Sequence, residues 1–101
     1  MSPVTLVQRL GESGPYVYDY ANDAVISAGD PIASVVSVTP IPQNPANALL
    51  PTVGAISLSG TKVQVILTGT QDNATYLMRF VVLTAAGYVR VGLGILNVSE
   101  N

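Results

Sequence analysis

Neither cysteine nor histidine occurs in the chain, and tryptophan is absent as well. Without thiols there are no disulfides and no thiolate metal sites, so the fold must hold by packing alone or with help from neighbouring subunits. Without imidazole or thiol, the commonest general bases, nucleophiles and soft metal ligands are gone, which leaves carboxylate chemistry or a Ser–Lys arrangement. The only lysine, Lys62, falls on a segment surrounded by residues expected to be solvated, a poor place for a nucleophile. The sequence therefore argues against an enzyme, and no cofactor is expected. Charge is scarce too: charged residues make up 10% of the chain, against about 25% in ordinary globular domains, while 49% of residues are hydrophobic. Solvated charges cannot cover such a surface in the usual way, so part of it is expected to meet protein. Four basic residues against six acids, scattered singly, offer no stripe for a phosphate backbone, and nucleic acid is not expected as a partner. No apolar run is long enough to span a bilayer and no basic leader-like segment stands at the start, so neither membrane insertion nor export is expected.

What is present is β-pattern. Residues 57–98 read as three consecutive strands joined by short turns, with the rest of the chain leaning on them. In residues 61–67, Val63, Val65 and Leu67 alternate inward against Lys62, Gln64 and Ile66, and Ser59-Gly60 before them is a hairpin signal. Residues 75–84 set Tyr76, Met78, Phe80 and Val82 against Leu77, Arg79, Val81 and Leu83; a strand apolar on both faces is central or covered by a partner. Residues 88–98 return with Val89, Val91, Leu93 and Ile95 on one face and Arg90, Gly92 and Gly94 on the other, and the change of phase at Ile95-Leu96 suggests a bulge. Upstream, Tyr16, Tyr18 and Tyr20 share one face of a first strand, residues 32–38 form a second, and residues 53–58 a third. Residues 24–28, between the turn clusters Asn22-Asp23 and Gly29-Asp30-Pro31, read as an irregular or edge segment. No helical period appears anywhere. The fold expected is all-β, an immunoglobulin- or fibronectin-like sandwich of six to eight short antiparallel strands over residues 16–101. Tyr76 suits a tyrosine corner whose hydroxyl bonds back to loop backbone, or equally an ordinary core position.

Two segments stand out as contact regions. Residues 1–15, punctuated by Pro3, Gly11, Gly14 and Pro15, read as an extended arm lying on a neighbour and dispensable for the fold itself. Residues 39–51 contain Pro40, Pro42, Pro45 and Pro51, a density that excludes helix and central strand and suggests a long, polyproline-like contact loop. The candidate protein-interface residues are accordingly Val4, Leu6, Val7 and Leu10 on the arm, Ala48, Leu49 and Leu50 on the loop, and Ile66, Leu77 and Val81 on strand faces. Asp19, Asn22, Asp23 and Asp30 are oxygen donors of the kind a hard cation takes, but their spacing matches no EF-hand and turn chemistry explains them better. A period-2 tyrosine row at residues 16, 18 and 20 suggests either one packed strand face or, if exposed, a platform for sugar rings.

These residues resemble a known family, the small immunoglobulin-like phage virion proteins that act as fibre-tail adaptors. The resemblance runs over residues 18–98 and is carried by Asp19-Tyr20 with the acidic turn at Asp23, by Ile32-Ala33-Ser34-Val35, and above all by Ile56-Ser57-Leu58-Ser59-Gly60-Thr61-Lys62-Val63-Gln64-Val65. Gly69-Thr70, Thr75-Tyr76, Ala86-Gly87 and Val98 complete it, while residues 39–51, Gly92-Leu93-Gly94-Ile95-Leu96 and the lack of a core tryptophan depart from the family's pattern. The resemblance implies a structural bacteriophage protein of the tail, neck or baseplate, made in the host cytoplasm and built into the virion as a homo-oligomer. It would dock a fibre or a neighbouring ring by protein–protein contact. A capsid decoration protein and a carbohydrate-binding module contacting the host surface are the alternatives.

Overall fold

The computed structural model describes residues 4–99, Val4 by its backbone only. In chain order the elements are β1 (Val4–Gln8), β2 (Ser13–Asp19), α1 (Ala24–Ser27), β3 (Ile32–Asn44), β4 (Thr52–Ser59), β5 (Lys62–Thr68), β6 (Ala74–Thr84) and β7 (Val89–Val98). A four-stranded sheet runs β1-β7-β6-β3 and a three-stranded sheet runs β2-β5-β4. Tyr16 of β2, Val63, Val65 and Leu67 of β5, and Met78, Phe80 and Val82 of β6 belong to one core cluster, so the sheets pack face to face.

Period-2 alternation builds this core. Tyr16 and Tyr20 are buried and Tyr18 half-buried, while Val17 and Asp19 point to solvent. β6 lies between β7 and β3; one face packs into the core, and on the other Val81 is buried between the side chains of its neighbours. Phe80 is the hub: its ring centroid lies 5.4 Å from that of Tyr16 and 5.4 Å from that of Tyr18, both stacked. Tyr18 in turn meets Tyr20 edge-on at 4.7 Å. A buried tyrosine must place its hydroxyl. That of Tyr20 donates to the Phe80 carbonyl at 3.0 Å, and that of Tyr16 accepts from the Ile95 amide at 3.0 Å, so both tie the two sheets together.

Several expectations are corrected. Among the described residues of the expected arm, Val4–Gln8 is a strand paired in parallel with β7, Val4 opposite Gly94 and Gln8 opposite Val98, so the strands are not all antiparallel. Leu6 packs against the core, and the buried Gln8 side chain donates to the Leu67 carbonyl at 2.9 Å. An apolar run flanked by glycine and proline is compatible with an edge strand as well as with an arm, and only the open flank of β7 decides between them. Met1 to Pro3 lie outside the described residues. Residues 24–27 form one helical turn, because the Asp23 carboxylate accepts the Val25 and Ile26 amides and Ile26 is buried beneath it. The expected loop is strand as far as Asn44: Pro40 and Pro42 pair opposite Met78 and Tyr76 on β3, an edge strand. Being two residues apart, their nitrogens face the same side, the open one, where no ladder hydrogen bond is forgone. β7 carries no bulge, since its pairing with β6 is continuous from Ala74–Val98 to Leu83–Val89. The tight link after β4 is Gly60-Thr61, one residue later than expected, with Gly60 at φ 59°.

Candidate functional site

The two faces of β7 explain each other. Gly92 and Gly94 point into the sandwich beneath the tyrosines: a Cβ on Gly94 would stand 1.7 Å from the Tyr16 hydroxyl oxygen, and one on Gly92 2.4 Å from Tyr18 Cε1. Glycine is required there because the rings lie against the backbone. With the inner face at residues 92 and 94 given to the rings, the large side chains of that stretch, Val91 and Leu93, face out, while Leu96 and Val98 further along turn into the core. Val91 is 44% exposed and Leu93 42% exposed. Across the ladder Val91 pairs with Val81, Leu93 with Arg79 and Ile95 with Leu77, so β6 and β7 give the outer face of the four-stranded sheet a mainly apolar stripe, bordered by Ser37 and Thr39 of β3. Arg79 is its only charge among the described residues, and it has no carboxylate partner among them.

A second exposed apolar feature is held just as firmly. Leu49 and Leu50 are 64% and 55% exposed. The Leu49 amide donates to Gln71 Oε1 at 2.9 Å, the Thr70 hydroxyl donates to the Leu50 carbonyl at 2.6 Å, and the Tyr76 hydroxyl donates to the Leu49 carbonyl. Tyr76 thus bonds back to a distant loop, which is more than an ordinary core position and less local than a tyrosine corner.

The interface candidates separate accordingly. Val7, Leu77 and Val81 come together on the outer face of the four-stranded sheet, Val7 exposed, Leu77 half-buried and Val81 buried between its neighbours. Leu49 and Leu50 form the loop tip, Leu10 is exposed in the link between β1 and β2, and Ile66 is half-buried on the outer face of the other sheet. Leu6 and Ala48 turn to the core, and the Val4 side chain lies outside what is described. Val91 and Leu93 are the residues that sequence reasoning missed. The available signal was the glycine on alternate positions of β7, which marks the face that packs on rings.

The polar groups serve the turns. Asp19 accepts from the Thr61 hydroxyl at 2.6 Å and the Ala21 amide at 2.9 Å, and the Thr61 bond leads in holding its carboxyl below the ordinary value. Asp23 is partly desolvated, which opposes ionisation, but the Arg90 guanidinium at 3.0 Å and the two helix amides outweigh this and lower its pKa. Asp30 accepts the Ala86 amide at 3.1 Å. Among the described residues no group of three or more acids is placed to hold a metal. Burial pushes the Tyr16 phenol up to about 12, and raises those of Tyr20 and Tyr76 as well. With Tyr16 and Tyr20 in the core, the sugar-platform reading loses the exposure it requires. An open depression of about 560 Å³ between α1 and the β6–β7 turn holds a single carboxylate, Asp30, and no acid–base pair.

The model of one protein family, described as podophage GP4 fiber-tail adaptor protein gp77, matches residues 8–92. The chain belongs to that family. The match includes every strand except β1 and the second half of β7, and so covers most of both sheets. No curated protein matches the chain. Membership makes this adaptor-family chain a component of the phage virion and implies contact with other virion proteins.

Proposed function

We propose that the chain is a structural adaptor of the phage tail, neck or baseplate, present in several copies, which holds a fibre or a neighbouring ring by static docking. The observation that carries this reading is the exposed apolar face of the four-stranded sheet, in a family of fiber-tail adaptors. A contiguous sheet face of this kind is what a permanent protein–protein contact buries. The framework supports it as an immunoglobulin-like sandwich: the sheet orders β1-β7-β6-β3 and β2-β5-β4, with a parallel pair of first and last strands and Greek-key crossings between sheets, suit that architecture. Leu49 and Leu50 provide a second anchor on a bonded loop. No step of this role needs a catalytic group or a cofactor, and no basic stripe favours nucleic acid.

The test is a Val91→Asp, Leu93→Asp double variant supplied to assembling particles. Both positions are already part-solvated, so the purified protein is expected to keep its far-ultraviolet spectrum and melting temperature while particles lose the adaptor or the fibre. Normal incorporation together with normal fibre attachment would remove the sheet face from the function.

A further inference from the structure

The two sheets are unequal, and the shortfall is at β4. By register Ile56 lies opposite Val65 and Leu58 opposite Val63, so these side chains point to the inner face of the three-stranded sheet. Val63 and Val65 are wholly buried, whereas Ile56 is 43% and Leu58 37% exposed. β4 and β3 are edge strands of the two sheets. The sandwich is therefore left open along one side, with inward-facing apolar side chains in water and, among the described residues, no strand beyond β4 to cover them.

The edge itself is free to pair. β4 meets β5 through the two-residue Gly60-Thr61 link, so Ser59–Lys62 is the hydrogen-bonded pair next to the turn. Leu58–Val63 and Ile56–Val65 are then non-hydrogen-bonded pairs, and the peptide groups of Ile56 and Leu58 face away from β5. The other edges are guarded: β3 by Pro40, Pro42 and three register shifts, β2 by Pro15 and Asp19, and β1 by its length of five residues, whereas the one register shift of β4, between Val53 and Ile56, leaves Ile56–Ser59 regular. Thr52–Ser59 has neither a proline nor a charge.

We propose that the β4 edge pairs with β4 of a second copy of this chain, antiparallel about a two-fold axis at Ser57, joining two three-stranded sheets into one. Ile56 then lies opposite the partner's Leu58 and Leu58 opposite the partner's Ile56, covering both and satisfying the outward peptide groups. A second copy fits because an uncharged strand meets itself without placing like charges opposite each other. The outer face of the four-stranded sheet is a poorer self-contact, since a two-fold there brings Arg79 toward its own copy. The β4 contact goes beyond the tail reading and does not depend on it.

The test is light scattering behind size exclusion over a hundredfold range of concentration, with amide hydrogen exchange on the same samples. The wild type is expected to reach about twice the 10.5 kDa chain mass, with the Ile56 and Leu58 amides protected only where the dimer is populated. Leu58→Pro removes an outward amide without breaking the β4–β5 ladder, and Ile56→Lys places a charge on the exposed inner edge. Each is expected to weaken the dimer at least tenfold while the far-ultraviolet spectrum stays native. The Val91→Asp, Leu93→Asp variant is expected to remain dimeric, which separates this contact from fibre docking. A wild type that stays monomeric throughout, a mass that both β4 variants leave unchanged, or Ile56 and Leu58 amides exchanging freely at every concentration each overturns the pairing.

Discussion

Gly94 and Tyr16 show how one position sets the packing of two sheets. The phenol lies where any side chain on residue 94 would stand, so Gly94→Ala forces the buried ring to move and takes the Tyr16 hydroxyl from the Ile95 amide. We expect a loss of about 2–3 kcal/mol, the range of a strained core insertion, read as a shift in urea midpoint. Gly92→Ala should cost less, because the ring it meets, Tyr18, is half-buried and has somewhere to turn. The same tyrosines set the alkaline limit of stability. The Tyr16 phenol titrates at about 12 in the fold against 10.0 when unperturbed. Between those values the unfolded chain has released a proton that the native state keeps, so stability falls as pH rises. Urea midpoints are expected to be flat up to about pH 10 and to decline above it, as ordinary tyrosine ionises. In Tyr16→Phe the decline should be shallower.

At the scale of elements, proline and aspartate act by where they sit. Pro40 and Pro42 do not end β3 because an edge strand has one side that needs no donors. Asp23 starts α1 and also holds it to β7 through Arg90, with the Nε atom 3.0 Å from the carboxylate. Asp23→Ala is expected to cost about 1–2 kcal/mol at neutral pH, a lost N-cap together with the partly exposed pair. Because the folded pKa of Asp23 is depressed, its contribution is present above the ordinary carboxylate value near 4 and is lost as pH falls through the lower folded value. Thermal melts of the wild type and the variant should therefore converge in acid. These roles were half legible: Asp23 and its neighbours stood out as turn residues, but their partners lie 67 positions away for Arg90 and 42 for the Thr61 that holds Asp19.

For the molecule as a whole, residues 4–8 belong to the fold. Removing residues 1–8 strips a strand from β7, uncovers the core beneath Leu6 and breaks the Gln8 bond to the Leu67 carbonyl. A loss of at least about 2 kcal/mol is expected from the apolar burial alone, measured as a lowered melting temperature; an unchanged melt would restore the dispensable arm. The sequence by itself determined the all-β class, the shared face of Tyr16, Tyr18 and Tyr20, the inward face of β5, the two apolar faces of β6, and the family, because strand alternation and turn chemistry are local and a period of two is visible over a few residues. Tertiary structure alone decided that residues 4–8 dock as a strand, that the prolines lie on an edge, and which face of β7 is open. A strand pattern says that two faces differ but not which one another sheet will cover. That choice is made by side chains far away in sequence, here the rings of Tyr16 and Tyr18 settling onto Gly94 and Gly92.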